Sequence, residues 1–100
     1  MIRILVADDH AIMRRGLRGL LETHAGWQVC GEAENGRDAV EMTIRLEPEV
    51  VVLDLTMPEL NGLDAAKNIR AAVPATEILI FTMHESEELI RAARLPGCER

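Results

Sequence analysis

Apolar positions fall in two rhythms along the chain. Four short runs, "IRILVA" (2–7), "WQVCGEA" (27–33), "EVVVLD" (49–54) and "EILIFT" (77–82), are rich in Val, Ile and Leu and have the length of strands. Between them apolar residues recur at spacings of three and four. Ile12 or Met13, Leu17, Leu20, Leu21 and His24 share one side of a first predicted helix, with Arg14, Arg15 and Arg18 on the other. A second helix starts near "NGRDAV", where Asn35 can cap it, buries Val40 and Ile44, and ends before Pro48. A third runs from about Leu63 through Ala66 and Ile69 to Val73, stopped by Pro74. A fourth begins near Ser86, with Glu87 and Glu88 in its first turn, and breaks at Pro96 and Gly97.

Strands separated by whole helices run parallel with right-handed crossovers, so the order βαβαβαβα predicts an α/β fold with an open parallel sheet. Ligands of such sheets sit beyond the carboxyl ends of the strands, where the strand order reverses. With the order 2-1-3-4, strands one and three are neighbours at that point. Asp8 and Asp9 follow the first strand, Asp54 closes the third and Thr82 closes the fourth, so three carboxylates converge near a hydroxyl. Asp54 ends the run Val50, Val51, Val52, Leu53, which reads as covered on both faces, and a charge there needs a partner. Like charges in one pocket raise at least one pKa and weaken the fold; a hard divalent cation offsets them, and magnesium is the natural candidate. A carboxylate beside such an ion can attack a phosphoryl group.

Composition narrows the class. With 100 residues and a 48% hydrophobic fraction, the chain predicts one folded domain. Its net charge of -6 repels nucleic acid, so no direct nucleic-acid contact is expected. No window approaches a membrane span and the opening apolar stretch is too short for a signal-peptide core, which predicts no membrane partner and a cytoplasmic location. Cys30 and Cys98 lack metal or disulfide spacing and read as ordinary thiols. His10 and His84 read as solvent-facing loop residues, and Met13, Met42, Met57 and Met83 as packing. Trp27 reads as cover for the start of the second strand. Arg14, Arg15 and Arg18 read either as a solvated helix face or as a dock for an acidic partner such as a histidine kinase domain.

The segments "ILVADDH", "VVVLDLTMPELNG" and "ILIFTMHE" resemble the receiver domain of bacterial two-component response regulators, in particular the LuxR-type (nitrate-response-like) transcriptional regulators. The resemblance covers nearly the whole chain and implies a flavodoxin-like receiver fold, with residues 1–100 forming one phosphoacceptor domain. It implies that Asp54 is the phosphoacceptor, that Asp8 and Asp9 hold Mg2+ with Asp54, and that the backbone carbonyl of Thr56 also reaches the metal. Thr82 would be the switch hydroxyl, with signalling through the loop after the fourth strand and the fourth helix. A histidine kinase or phosphotransfer domain is the implied partner. Pro58 and Gly62 match the loop after the phosphoacceptor, with Gly62 giving the freedom to turn into the third helix. No enzyme activity is expected beyond self-phosphorylation and self-dephosphorylation.

The sequence also departs from that family. Receivers normally have a fifth strand ending in a lysine that pairs with the phosphoryl group, then a fifth helix. The only lysine here is Lys67, inside the third helix, and there is no tyrosine. A chain lacking the fifth strand, the fifth helix and any DNA-binding domain is therefore expected. "EILIF" then becomes a sheet edge, which predicts a homo-oligomer through the edge near the fourth strand. Two alternatives stay open. One is a receiver-like interaction scaffold that is not functionally phosphorylated. The other is a haloacid-dehalogenase type of enzyme, which wants an acid at position 56, where Thr56 stands. Residue by residue, Asp8 or Asp9 alone also reads as a helix cap, Thr82 as a strand filler, and Thr56 as a loop residue apart from its carbonyl.

Overall fold

Parallel pairing needs a crossover between strands, and the chain provides a helix for each crossover that can be followed. The computed structural model describes residues 1–81 and the short strand at 98–99. The elements are β1 (Ile2–Ala7), α1 (Ala11–Glu22), β2 (Trp27–Ala33), α2 (Gly36–Leu46), β3 (Val50–Asp54), α3 (Gly62–Ala72), β4 (Glu77–Phe81) and β5 (Cys98–Glu99). All pairings are parallel and the sheet order is β2-β1-β3-β4-β5. The order 2-1-3-4 and the flavodoxin-like α/β architecture are as expected from the sequence. The helix expected near Ser86 lies outside the described residues.

One expectation needs correction. No fifth strand was anticipated, yet Cys98 and Glu99 pair with Ile78 and Leu79, so β4 is not a free edge along those two residues. A strand of two residues is too short to leave any alternation in the sequence, which is why it was missed.

Period two divides each strand between two cores. Leu5, Ala7, Val51, Leu53 and Ile78 face Ala39 of α2 and Ala65, Ala66 and Ile69 of α3. Ile4, Val6, Val29 and Val52 face the other way, with Leu17 and Leu21 of α1 and Trp27 packed against them. The Trp27 ring is stacked on His24, ring centres 4.0 Å apart. Met57 is buried in the first core and Met42 packs against it, as expected of fillers.

The helices use narrower apolar stripes than the sequence suggested. In α2 the buried line is Gly36, Ala39 and Thr43, while Ile44 is 50% exposed and Val40 only half-buried. Ile44 stands one position past Thr43, roughly 100° around the helix, so the small residues take the sheet side and Ile44 swings out. The Thr43 hydroxyl is satisfied by donating to the Ala39 carbonyl at 2.6 Å. In α1 the inner line is Met13, Leu17 and Leu21, all half-buried, and Ile12 and Leu20 are exposed for the same angular reason.

Asn35 caps α2 as expected, its Oδ1 accepting from the Asp38 N–H at 2.8 Å, and Asn61 caps α3 from Asp64 at 2.9 Å. Immediately after the first of these caps, Gly36 lies so close to the β3–α3 loop that a Cβ would stand 1.7 Å from the Leu60 carbonyl oxygen. Backbone cannot yield as a side chain would. Gly36→Ala is therefore expected to destabilise by about 1–3 kcal/mol or more. Gly16, inside α1, meets nothing within 4 Å among the described residues, so Gly16→Ala should stabilise by about 1 kcal/mol. Urea unfolding of the two variants checks the contrast; changes of the same sign would remove it.

Candidate functional site

The register of β1 on β3 builds the site. Ala7 pairs with Leu53, so the next residues on the two strands, Asp8 and Asp54, stand side by side at the carboxyl ends. Alternation sends both the same way, Asp8 continuing the line of Ile4 and Val6, and Asp54 that of Val50 and Val52. Asp8 is fully buried and Asp54 is 3% exposed. Asp9 follows on the β1–α1 loop, partly exposed, and His10 after it is largely exposed. One ligand atom from each of Asp8, Asp9, His10 and Asp54 lies within 4.8 Å of all the others. Ligands on opposite sides of a hard cation, with bonds of about 2.1–2.5 Å, stand about 4.2–5 Å apart, so this spread fits one ion.

Hydrogen bonding inside the cluster is uneven. Asp8 Oδ1 accepts from the His10 backbone N–H at 2.8 Å, and His10 Nδ1 lies 3.2 Å from the same oxygen and 3.0 Å from Asp9 Oδ1. Asp8 Oδ2 is buried with no hydrogen-bond partner among the described residues. A buried acceptor left that way costs about 1–3 kcal/mol, more when charged. Asp54 Oδ1 accepts only a long bond, 3.4 Å, from the Thr56 N–H. Burial first, and the Asp8 charge second, push the Asp54 carboxyl above the ordinary aspartate range; Asp9 adds to the rise, while the Thr56 N–H and His10 oppose it. An orphaned carboxylate oxygen and a second buried acid beside it are the donor set that a divalent cation satisfies.

The loops that carry these acids are held from outside. Arg14 Nη1 donates to the Asp8 carbonyl at 2.7 Å, its Nε to Glu32 at 3.2 Å, and its Nη2 lies 3.6 Å from Glu34. Arg18 joins at 2.9 Å from the other Glu32 oxygen. Its hydrogen bond, ahead of that from Arg14, holds the Glu32 carboxyl below its usual range. Arg14 is thus an internal strut from the end of β2 to the acid loop, which corrects its reading as solvated face or docking residue; Arg15 does remain exposed.

Gly62 needs a similar correction. Its φ is not left-handed; what demands glycine is closeness, since a Cβ would stand 2.4 Å from the Asp54 carbonyl oxygen and 2.8 Å from Leu55 Cα. The residue of that loop in the left-handed region is Glu59, φ 67°.

The structure brings Asp8, Asp9 and Asp54 together as expected. Neither acid of the pair caps α1, whose N-cap is His10 without a side-chain cap bond. Thr56 is exposed and meets Asp54 through its N–H. Thr82, Met83 and His84 lie outside the described residues. Lys67 is exposed on α3. His10 was missed as a member of the cluster; the available signal was its place directly after two acids.

Comparison with known proteins agrees with this geometry. Residues 4–99 match the response regulator receiver domain, and the chain belongs to that family. It is 40% identical over 97 residues to the chemotaxis protein CheY of Thermotoga maritima, covering 97% of this chain and 80% of CheY. It is 39% identical over 95 residues to the transcriptional regulatory protein YdfI of Bacillus subtilis, covering 95% of this chain and 45% of YdfI. Among solved structures, a LuxR-family two-component response regulator from an Aurantimonas species superposes with a TM-score of 0.91 at 38% identity, covering 98% of this chain and 70% of that one. The chain therefore spans less than half the length of the transcriptional regulator. LuxR-family neighbours place it with the LuxR-type receivers. No helix among the described residues is long and apolar enough to cross a membrane.

An acid whose pKa is raised by folding binds its proton more tightly folded than unfolded. Stability then falls as pH rises through the window between the unfolded and folded values and stays lower above it. Asp54→Asn removes that burden. In chelator at neutral pH it should raise Tm by several degrees, since about 1 kcal/mol moves a domain of this size by roughly 4–8 °C. The gain should vanish below about pH 4, where the unfolded carboxylate is already protonated. A variant that melts at or below the wild-type temperature at neutral pH would remove this account of the pocket.

Proposed function

We propose that this domain accepts a phosphoryl group on Asp54 in a Mg2+-dependent reaction and signals by the change that follows. The observation that carries the proposal is the buried pair Asp8 and Asp54, with one Asp8 oxygen unsatisfied and Asp9 in reach of both. An ionised Asp54 oxygen forms a bond to phosphorus while the bond from phosphorus to the donor breaks, its electron pair leaving on the donor's nitrogen or oxygen. The product is an acyl phosphate, and no proton need be removed from the nucleophile. Little hydration has to be stripped from a carboxylate this deeply buried. Mg2+, held by Asp8, Asp9, Asp54 and the Thr56 carbonyl, would supply positive charge against the phosphoryl oxygens. The Thr56 N–H, already directed at Asp54, is a donor for those oxygens.

Modification adds a charge of roughly -1.5 to -2 and three strong acceptors at the end of β3. Thr82, the loop after β4 and the helix beyond it are the proposed responders. Receiver domains work with histidine kinases or phosphotransfer proteins, and such a protein is the proposed donor. With Asp54 consuming its own phosphoryl group, the domain is a signalling module and not an enzyme acting on a separate substrate. Regulation of transcription in the cytoplasm is the output that the LuxR-family likeness supports, and the net charge of -6 argues against nucleic-acid contact by this domain itself.

The alternative is a receiver-like scaffold that is not functionally phosphorylated: among the described residues no lysine stands beside Asp54, Lys67 being exposed on α3. Acetyl phosphate with Mg2+ separates the two. Phosphoacceptor function predicts a mass gain of one phosphoryl group that Asp54→Asn abolishes; an intact, folded protein that gains none is the scaffold. A homo-oligomer through the sheet edge near β4 belongs to the same proposal and predicts a dimeric or larger mass by light scattering at micromolar concentration. A monomer removes it.

A further inference from the structure

His10 occupies the N-cap position of α1, but its side chain makes no cap bond. Its backbone N–H is tied to Asp8 Oδ1 at 2.8 Å, which fixes the start of its side chain. From there Nδ1 turns toward both acids, 3.0 Å from Asp9 Oδ1 and 3.2 Å from Asp8 Oδ1, although the side chain is 69% exposed and has solvent open to it. The imidazole nitrogen is thus one of four donors within a spread that fits a single ion. The fully buried Asp8 side chain contributes to the same cluster, and its Oδ2 has no partner.

Imidazole changes what such a pocket prefers. Magnesium takes oxygen ligands and keeps its waters, gaining little from a nitrogen donor, whereas nickel, copper and zinc favour imidazole, first-row affinities rising through nickel to copper and falling at zinc. Resting on the cation pocket proposed above, we propose that this is a mixed nitrogen and oxygen site in which His10 Nδ1 is a ligand. It takes first-row transition dications ahead of Mg2+. Coordination uses the tautomer with its proton on Nε2, and the carboxylates that now face Nδ1 turn their lone pairs to the metal instead.

The untagged chain can be titrated calorimetrically with Mg2+ and with Ni2+, as wild type, His10→Asn and Asp8→Asn. Wild type should prefer Ni2+, and His10→Asn should shrink the ratio of the two affinities by roughly tenfold or more, the scale on which loss of a supporting contact at a metal site is felt. Copper-loaded wild type should show nitrogen hyperfine coupling in its electron paramagnetic resonance spectrum, lost in His10→Asn. An unchanged affinity ratio, or nitrogen coupling that survives in the variant and so comes from His24 or His84, overturns the assignment. Failure of the underlying pocket looks different: wild type would then bind no Mg2+ at all. If Mg2+ binds and Asp8→Asn abolishes it while the ratio is indifferent to His10, the pocket stands and the role of His10 falls.

Discussion

Two parallel strands lying directly against one another decide what this molecule can do. Because Ala7 pairs with Leu53, the first residue past each strand's apolar run is an aspartate beside an aspartate, both turned to the same face and both out of water. Electrostatics disfavours that arrangement at neutral pH, and among the described residues the groups that oppose it are a long bond from the Thr56 N–H, a short one from the His10 N–H and an imidazole at the rim. The hydrophobic pairing on both sides of the strands holds the acids in place against their repulsion. The fold does the positioning, and the site inherits an unmet demand for positive charge.

Loops around the site are built for closeness and not for freedom. Gly62 admits the backbone of Asp54 and Leu55, and Gly36 admits the backbone of Leu60, so α2 and the β3–α3 loop are fixed against each other with no side chain between them. On the other flank Arg14 joins the Asp8 carbonyl to Glu32 and Glu34, coupling the end of β2 to the acid loop. Arg14 is nearly buried, so its bonds act in a less screened environment than the exposed Arg37–Glu59 pair at 3.8 Å, which adds little. On the function proposed above, Asp54 has to be held still while a phosphoryl donor reaches it, and these close backbone contacts hold the loops on either side of it.

Much of this was legible in the chain. The apolar runs "IRILVA" and "EVVVLD" mark the strands, whole helices between them make the strands parallel, and with the order 2-1-3-4 these bring Asp8, Asp9 and Asp54 together. The failures share a different cause. Ile44 and Leu20 read as core, and Ile12 reads there as the alternative to Met13, because an apolar residue one position off the buried line looks the same in sequence as one on it; only the sheet decides which 100° of the helix is covered, and it takes Met13. The tie of Arg14 to Glu32 and Glu34, and the turn of the exposed His10 toward the acid pair, are not legible because tertiary structure or a turn that no periodicity reports brings these partners up. The pairing of Cys98 and Glu99 with β4 is too short to register at all, and Thr82 falls outside the described residues.

Charge at this site also links cation and modification in one direction. On the function proposed above, phosphorylation would add negative charge to a pocket that already has more than its hydrogen bonds among the described residues satisfy, so a bound cation would stabilise the modified form. By reciprocity, a cation that favours the modified state must bind that state more tightly than the unmodified one. Any residue that alters which cation is held then alters the stability of the acyl phosphate through the same linkage. For that reason an imidazole at the rim of an acid pocket, which looks peripheral by exposure, acts on the same linkage as the acids it faces: in the role proposed for His10, it alters which cation is held.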